Sequence, residues 1–525
     1  MNALPEPGSI FDILGPIMTG PSSSHTAGAV RIGKMARYLA DAELKKVEIT
    51  FYGSLAETYK GHMTDAGLVG GLLGMSVDSP DIKNALAKAR EEGVELIIHL
   101  NKSSDKNPNT IELNLISEEG QIFIEGVTIG GGEILISRIN DNPIAIRGKE
   151  PLLILFVEGR KISDVQIDVA KLGIDVDTKN AKESGDLLIF PMMRSPNKSD
   201  LNTMASIRGV RKVKFIPMLY DYGPVRGAPL FLSISEMLSK AEKHQGGLVG
   251  LVEDYEMNRS VLTKSAIREK LKKIWIVMKE SAHKGLTGKN PVVGGLVPGD
   301  DAKRLFENCK RGTTVGGNIL PLAIAYALAA MEINASMGRV CAAPTAGSCG
   351  VLPGVLCAVE EKRKISEEVI VDALLVAGIY GAIIASLAPV SGALGGCQSE
   401  VGVASAMAAA ALVITVGGQP EQTAQAMAIA LKNILGLVCD PVAGPVEVPC
   451  IKRNAIGVAN AFAAADMALA GIKSVIPPDE VIYALRNVQA LLPPELRDTT
   501  LGGLGATETA LRLKEEWLKK CSSLE

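Results

Sequence analysis

The chain has 525 residues, of which 47% are hydrophobic, and a formal net charge of −3. At ~150 residues per domain, this length predicts three or four domains with a large buried core. Because the charge is small and spread along the chain, without a basic stripe or an acidic tail, the composition excludes the electrostatic footprint of nucleic-acid binding and favours a small-molecule ligand.

The N-terminus has no basic segment followed by an apolar one, and the eight cysteines are not densely paired. Both features predict a cytoplasmic protein with reduced thiols. Two apolar stretches, residues 369–387 and 401–416, approach the ~20 residues that cross a membrane. The first contains Asp372 and the second is mostly Ala, Gly and Ser, so we expect buried helices and no membrane partner.

Residues 1–148 are predicted to form an N-terminal α/β or α+β domain. Alternating or short apolar runs predict strands, and the segments between them show helical spacing. The predicted strands are 47–52, 96–100 and 110–116, and the predicted helices are 31–44 and 56–71.

Residues 149–220 show a βαββαβ order, which predicts a ferredoxin-like sandwich. The predicted strands are 152–157, 174–179, 186–192 and 210–216, and the predicted helices are 162–172 and 199–207. From residue 233 to 525 strand patterns vanish, and Ala-, Leu- and Val-rich segments with helical spacing alternate with Gly and Pro breaks. We therefore expect a multidomain protein with an all-helical C-terminal half.

A serine-rich motif, GPSSSHTAG at residues 20–28, precedes the first predicted helix. Hydroxyl and backbone N–H groups at a helix N-terminus bind anions, so this motif suits a substrate carboxylate. The alternative is a serine-rich N-cap with a structural role.

A second motif, GHMTD at residues 61–65, contains a histidine with a side chain suited to acid–base chemistry. A purely structural histidine is the alternative for His62. The loop TIGGGEI at 128–134 either lets the backbone approach a ligand closely or forms an ordinary turn.

The segment at residues 336–350 combines small residues, hydroxyls and a positive charge. Arg339 is predicted to bind a carboxylate through a bidentate pair. Cys341, Cys349 and Cys357 form a candidate metal-binding set, but their spacing is not a short ligand motif, and buried thiols are common in helical cores.

Three other cysteines, Cys397, Cys439 and Cys450, lie in Gly- and Pro-rich breaks between predicted helices. Thiolate is a soft ligand suited to iron–sulfur clusters. Three thiolates on a four-iron cluster would leave one iron open as a Lewis acid. Because the spacing matches no short signature, ordinary buried thiols are the alternative.

Taken together, the motifs resemble those of bacterial iron–sulfur-dependent L-serine dehydratases over nearly the whole chain, in the order β-domain then α-domain. In addition to the three N-terminal motifs, the resemblance is carried by NASMGRVCAAPTAGSCGVLPG at 334–354, SGALGGCQSEVGVA at 391–404 and LVCDPVAGPVEVPCIKRNAIG at 437–457. Long matching strings in one order are far more specific than any single motif.

This resemblance implies a [4Fe–4S] cluster held by Cys397, Cys439 and Cys450, with one iron free for substrate. It implies a carbon–nitrogen lyase that converts L-serine to pyruvate and ammonia. His62 and His25 are candidates for the catalytic base, because an ordinary imidazole has a pKa of ~6.5; a metal-bound alkoxide or a serine hydroxyl is the alternative. The candidates for binding the carboxylate and ammonium groups of the substrate are Ser22, Ser24, Thr26, Arg339 and Thr345. We also expect a homodimer.

Residues 151–217 resemble the regulatory ACT domain of some family members. The usual Asp-x-x-Pro-Gly turn after the first strand is missing, which disfavours amino-acid binding there and leaves a packing role as the alternative. Two alternatives are a related lyase acting on L-threonine or L-cysteine, and a non-catalytic serine sensor. Pyridoxal phosphate is disfavoured, because the helical half offers neither a lysine beside a phosphate-binding glycine loop nor a cofactor domain.

Overall fold

The computed structural model describes residues 5–40, 43–102, 105–118, 120–192, 194–222 and 227–522. It has an N-terminal α/β part, a small antiparallel sandwich and a predominantly helical C-terminal part. This layout confirms the predicted fold class, while the exact domain boundaries stay predictions.

The N-terminal part is built on a six-stranded sheet in the order β3-β2-β4-β5-β6-β7. Only β2 and β3 pair in parallel. Val47, Ile49 and Phe51 alternate along β2 and are fully buried, as the sequence pattern predicts. The elements are β1 (Ile17–Thr19), α1 (Gly28–Ala40), β2 (Leu44–Tyr52), α2 (Gly53–Thr58), α3 (Thr64–Leu72), α4 (Ala85–Glu91), β3 (Glu95–Asn101), β4 (Thr110–Ser117), β5 (Gly120–Gly130), β6 (Glu133–Ile139) and β7 (Asn142–Ile146).

Two predicted helices of this part were wrong in extent. The helix predicted at 31–44 ends at Ala40, because Leu44 already pairs with β4. The helix predicted at 56–71 is broken between α2 and α3, where Met63 has a φ of 52°. A Cβ atom at Gly61 would lie 2.4 Å from the carbonyl carbon of Gly444, so the break lets the C-terminal part approach the backbone beside His62.

The second unit has the antiparallel strand order β11-β8-β10-β9 of a βαββαβ sandwich. The predicted strand at 174–179 is wrong: Asp177 accepts the backbone N–H groups of Lys179 and Asn180 and turns the chain there. The elements are β8 (Leu152–Val157), α5 (Ile162–Lys171), β9 (Lys182–Ser184), β10 (Leu187–Pro191), α6 (Lys198–Ala205) and β11 (Val210–Ile216).

The C-terminal part is predominantly helical, as predicted, and its described residues include one short strand that the sequence pattern did not predict. That strand, β12, pairs antiparallel with β1 and so joins the two halves. The elements are α7 (Ile234–Ala241), α8 (Gly247–Ser260), α9 (Lys264–Lys284), α10 (Asp301–Arg311), α11 (Leu320–Ala335), β12 (Arg339–Cys341), α12 (Val351–Arg363), α13 (Glu367–Leu387), α14 (Gly392–Gly395), α15 (Val403–Thr415), α16 (Pro420–Asn433), α17 (Cys450–Leu469), α18 (Pro478–Leu491) and α19 (Glu508–Ser522).

Two helical segments of the C-terminal part are long and apolar enough to cross a membrane. They are Glu367–Leu387 and Gln398–Thr415, and 78% and 89% of their apolar windows are buried inside the protein. Packing in the helical core therefore accounts for their composition. The same core takes in Ile10, Phe11 and Leu14 from the N-terminal segment, whereas the large sheet packs around a separate core.

Candidate functional site

A small cavity lies where the N-terminal half meets the helical half. Its lining comes from the serine-rich motif, the α2–α3 break, three breaks between C-terminal helices and the loop after α18. The lining residues are Pro21, Ser22, His62, Gly347, Cys397, Glu400, Val401, Cys439, Val446, Cys450, Arg453 and Asp498.

The three cysteines singled out from the sequence all line this cavity. Cys397 follows α14 and precedes a π-helical turn, Cys439 lies between α16 and α17, and Cys450 is the first residue of α17. The sulfur atoms of Cys397 and Cys439 and a carboxylate oxygen of Glu400 lie within 4.8 Å of one another. Cys397 and Cys439 therefore offer sulfur donors to one point, and Cys450 lines the same cavity.

Backbone and side-chain hydrogen bonds hold the cysteine segments in place. The N–H of Gln398 donates to the carbonyl of Leu437 at 2.9 Å, and the N–H of Cys439 donates to the carbonyl of Leu496 at 2.9 Å. The side chain of Asn454 donates to the carbonyls of Cys450, at 3.0 Å, and Gly347, at 2.9 Å. The cysteine positions are thus fixed by the surrounding chain.

The charges around the thiols favour a bound cation. A hydrogen bond from Cys439 and the nearby guanidinium of Arg453 lower the pKa of Cys397. The hydrogen bond to Cys397 and burial raise the pKa of Cys439. Burial and the negative charge of Cys397 raise the pKa of Cys450. Because a thiolate at Cys397 opposes ionisation of Cys439 and Cys450, an iron-containing group that accepts sulfur ligands would relieve this repulsion.

The rival set of cysteines does not share these features. Cys341, Cys349 and Cys357 are buried in the helical core, and burial raises the pKa of each thiol. None of them is among the described residues that line the cavity. The donor set therefore fits an iron–sulfur cluster at Cys397, Cys439 and Cys450 and not at the rival cysteines.

Two buried histidines lie beside the cysteines. His25 is part of a π-helical turn that leads into α1, and His62 occupies the break between α2 and α3. Their Nδ1 atoms are 2.5 Å apart, and His62 lines the cavity. Burial lowers the pKa of His25, and it lowers the pKa of His62 to about 4. Both rings are therefore neutral near pH 7, and a neutral imidazole can accept a proton.

Two acidic residues of the site were not predicted from the sequence: Glu400, which lies beside Cys397 and Cys439, and Asp498. The carboxylate oxygens of Asp498 lie 3.8 Å from Nδ1 of His25 and 3.9 Å from Nε2 of His62, and the thiol of Cys439 donates to it at 3.6 Å. Asp498 has a φ of 59°, and its N–H donates to the carbonyl of Cys439 at 2.8 Å. The only sequence signal was its position just before the family-like loop at 501–507.

Four predicted substrate-binding residues lie in or behind the cavity wall. Ser22 lines the cavity and accepts the N–H of His25 at 3.1 Å. Thr26 donates to the carbonyl of His62 at 2.6 Å, and Ser24 lies buried beside it. Thr345 is buried and hydrogen bonds to Glu400, whose pKa is raised by burial. Of these four residues, only Ser22 faces the cavity directly.

The structure does not bring Arg339 to the cavity. Its side chain is 44% exposed on β12, and its guanidinium lies 3.7 Å from Asp78. The cation of the cavity is Arg453, which donates to the carbonyl of Val438 and pairs with Asp440, both at 2.7 Å. The loop at 128–134 likewise forms a β-hairpin turn between β5 and β6.

Comparisons with known proteins match both halves of the chain. A family model described as "Serine dehydratase beta chain" matches residues 9–138, and one described as "Serine dehydratase alpha chain" matches residues 230–505. The chain is 32% identical to an L-serine dehydratase of Streptomyces coelicolor over 507 residues, which is 94% of this chain and 98% of the relative. The chain belongs to the serine dehydratase family.

Other relatives match the helical half alone. A probable L-serine dehydratase alpha chain of Bacillus subtilis is 46% identical over 287 residues, which is 55% of this chain and 95% of the relative. An L-serine dehydratase alpha chain of Peptoniphilus asaccharolyticus is 44% identical over 270 residues, 51% of this chain and 92% of the relative. In this member of the family, the region matching the alpha chain contains the three cysteines, and the region matching the beta chain contains both histidines.

Proposed function

We propose that this protein is an L-serine dehydratase, which eliminates water and then ammonia from L-serine to give pyruvate. The proposal depends on one observation: three thiols and a neutral, buried histidine line the same cavity. The names of the relatives support the substrate, and the cavity supports the chemistry.

The residues that would hold the [4Fe–4S] cluster are Cys397, Cys439 and Cys450. When bound, a cluster with three cysteine ligands supplies one open iron as a Lewis acid for the hydroxyl group of the substrate.

The chain itself supplies the base. His62 faces the cavity in its neutral form and removes the Cα proton of the substrate. The carboxylate of Asp498, 3.9 Å from Nε2 of His62, stabilises the imidazolium that results. His25 lies behind His62 and holds its ring through the Nδ1 contact.

The serine-rich motif supplies polar groups for the substrate. Ser22 faces the cavity at the start of a helical turn, where its hydroxyl and nearby N–H groups suit a carboxylate. Ser24, Thr26 and Thr345 support this wall. We keep Arg339 outside the substrate site because of its position on β12.

Two alternatives stand beside this proposal. A lyase acting on L-threonine or L-cysteine needs the same thiols and base, and only the shape of the pocket separates these substrates. A non-catalytic serine sensor would bind the amino acid in the N-terminal domain and the sandwich unit, and it needs no base beside the cysteines. Pyridoxal phosphate catalysis finds no support, because the described residues that line the cavity include no lysine. Dimerisation, the cytoplasmic location and a packing role of the sandwich unit stay predictions.

The test is an anaerobic pyruvate assay on iron-reconstituted protein with L-serine, L-threonine and L-cysteine as substrates. We expect kcat/KM to be highest for L-serine. Absence of turnover with all three substrates, in protein that retains its iron, would leave the sensor alternative.

His62→Gln should lower kcat by at least ~10²-fold, because a positioned base contributes about that much. The iron content of the variant should equal that of the wild type, since His62 is not a proposed ligand. If kcat of this variant stays within a few-fold of the wild-type value, His62 has only a structural role.

A further inference from the structure

A buried chain of side chains connects the large sheet to the cavity. The side-chain nitrogen of Asn109 lies 3.3 Å from the carbonyl of Thr128, and its side-chain oxygen lies 3.1 Å from Nε2 of His25. Nδ1 of His25 lies 2.5 Å from Nδ1 of His62. Asn109 and His25 are fully buried, and His62 is 3% exposed. The protons of these hydrogen bonds must therefore come from the three side chains themselves.

The contacts determine the direction of each hydrogen bond. The carbonyl of Thr128 only accepts, so the amide nitrogen of Asn109 must face it and the amide oxygen must face His25. Because that oxygen carries no proton, Nε2 of His25 must be the donor. A neutral imidazole with a proton on Nε2 has a bare Nδ1, and the short Nδ1–Nδ1 contact then requires a proton on Nδ1 of His62.

The neighbouring hydroxyl does not change this order. Thr58 Oγ1 lies 3.5 Å from Nδ1 of His25, but it donates its proton to the carbonyl of Ser54 at 2.8 Å. The proton between the two rings therefore belongs to one of the rings.

We propose that Asn109 is a positioning residue that, through His25, fixes the tautomer of His62 and leaves Nε2 as the basic atom. This proposal rests on the proposed function, in which His62 is the base. In the step, Nε2 of His62 takes the Cα proton, the C–H bond breaks and its electron pair stays with the substrate. The imidazolium keeps its bond from Nδ1 to His25 and faces Asp498.

Removing the hydrogen-bond acceptor at residue 109 removes the constraint on which nitrogen of His25 carries the proton. Without the oxygen of Asn109, His25 can carry its proton on Nδ1 and donate it to His62. His62 then holds its own proton on Nε2, where it cannot act as a base. Hydrogen-bond partners that fix the tautomer of a functional histidine typically change activity roughly 10- to 100-fold.

The experiment compares Asn109→Leu, which keeps the approximate shape but has no acceptor, with Asn109→Asp, which keeps an acceptor. Thr58→Val is the matched control, because it touches the same ring without a role in the proton order. The readout is long-range 1H–15N NMR of the 15N-histidine-labelled full-length holoenzyme, with the His62 signals assigned from His62→Gln.

In the wild type, in Asn109→Asp and in Thr58→Val we expect His62 to be protonated on Nδ1. In Asn109→Leu we expect loss of this tautomer and a fall in kcat of roughly 10- to 100-fold. KM and iron content should change little, and the deuterium isotope effect of Cα-deuterated L-serine should increase. Asn109→Asp should recover most of the rate.

A wild-type spectrum with His62 protonated on Nε2 would overturn the inference even if the enzyme makes pyruvate. So would an Asn109→Leu variant with unchanged kcat and an unchanged tautomer. Failure of the proposed function looks different: the wild type would show the expected tautomers and retain its iron, but it would not turn over L-serine.

Discussion

Arg453 connects two of the cysteine segments through its guanidinium group. One nitrogen donates to the carbonyl of Val438 at 2.7 Å and lies 3.7 Å from the sulfur of Cys397, and the other pairs with Asp440 at 2.7 Å. Asp440 is only 3% exposed. A planar guanidinium can make these contacts together, whereas an ammonium group cannot.

Arg453→Leu should therefore destabilise the protein by about 3 kcal/mol, because it leaves the buried carboxylate of Asp440 without its positively charged partner. It should also lower the iron retained per chain. Chemical denaturation and iron analysis measure the two effects.

Arg339→Leu is the matched control, since it removes a half-exposed guanidinium outside the cavity. We expect a stability change within about 0.5 kcal/mol and little change in KM. A large increase in KM for L-serine in this variant would restore Arg339 as a substrate ligand.

The residues that sequence could identify are those with a distinctive chemical type in a distinctive setting. Cys397, Cys439 and Cys450 stood at chain breaks, and His62 stood in a short polar motif. The role of Asp498 could not be predicted, because it depends on contacts with His25 and His62, which lie more than 400 positions away in the sequence. The sequence singled out Arg339, and only the packed structure shows that Arg453 is the arginine that lines the cavity.

At the level of elements, the N-terminal segment is fastened to α8 by a buried carboxyl group. Ser9 Oγ donates to Glu256 at 2.6 Å, and the N–H of Ile10 donates to it at 2.9 Å. Burial raises the pKa of Glu256 to about 7. The folded protein therefore binds a proton at this residue that the unfolded chain releases at lower pH.

Because the folded-state pKa is raised, this group contributes its full stability below about pH 4.5 and loses it as the pH rises through about 7. Relative to Glu256→Gln, the wild type should lose a few kcal/mol between pH 4.5 and pH 8, since one pKa unit corresponds to about 1.4 kcal/mol. Urea denaturation of both proteins across this range measures the difference. A constant difference between the two would contradict the assignment.

Elements with strong local patterns were predicted well, and those set by long-range contacts were not. Strands 152–157 and 210–216 match β8 and β11, because each is a short run bounded by turn residues. The break between α2 and α3 escaped prediction, since it depends on the approach of Gly444 to Gly61. For the same reason β12 was missed, because its partner β1 lies more than 300 residues earlier.

At the level of the whole molecule, the site is divided between two halves that match separate chains in some relatives. The helical half contains all three proposed ligands, and the N-terminal half contains both histidines. The order of the halves was visible in the motifs. The packing of Ile10, Phe11 and Leu14 into the helical core and the position of the cavity were not, because both depend on contacts between residues far apart in sequence.

Expressed as two chains, residues 1–224 and 225–525, the protein should assemble and make pyruvate. The helical half alone should be less stable, because it lacks the apolar N-terminal segment, and it should lack turnover because it has no His62. Co-purification and pyruvate assays test both statements. A helical half as active alone as the intact chain would remove the N-terminal half from the catalytic site.

The measurement that tests the central claim most directly is the iron and acid-labile sulfide content of anaerobically reconstituted wild type, Cys397→Ala and Cys357→Ala. We predict about four of each per chain in the wild type and in Cys357→Ala, whose thiol lies outside the cavity. Cys397→Ala should lose the cluster absorbance and pyruvate formation together. Full iron, sulfide and activity in Cys397→Ala would contradict the account.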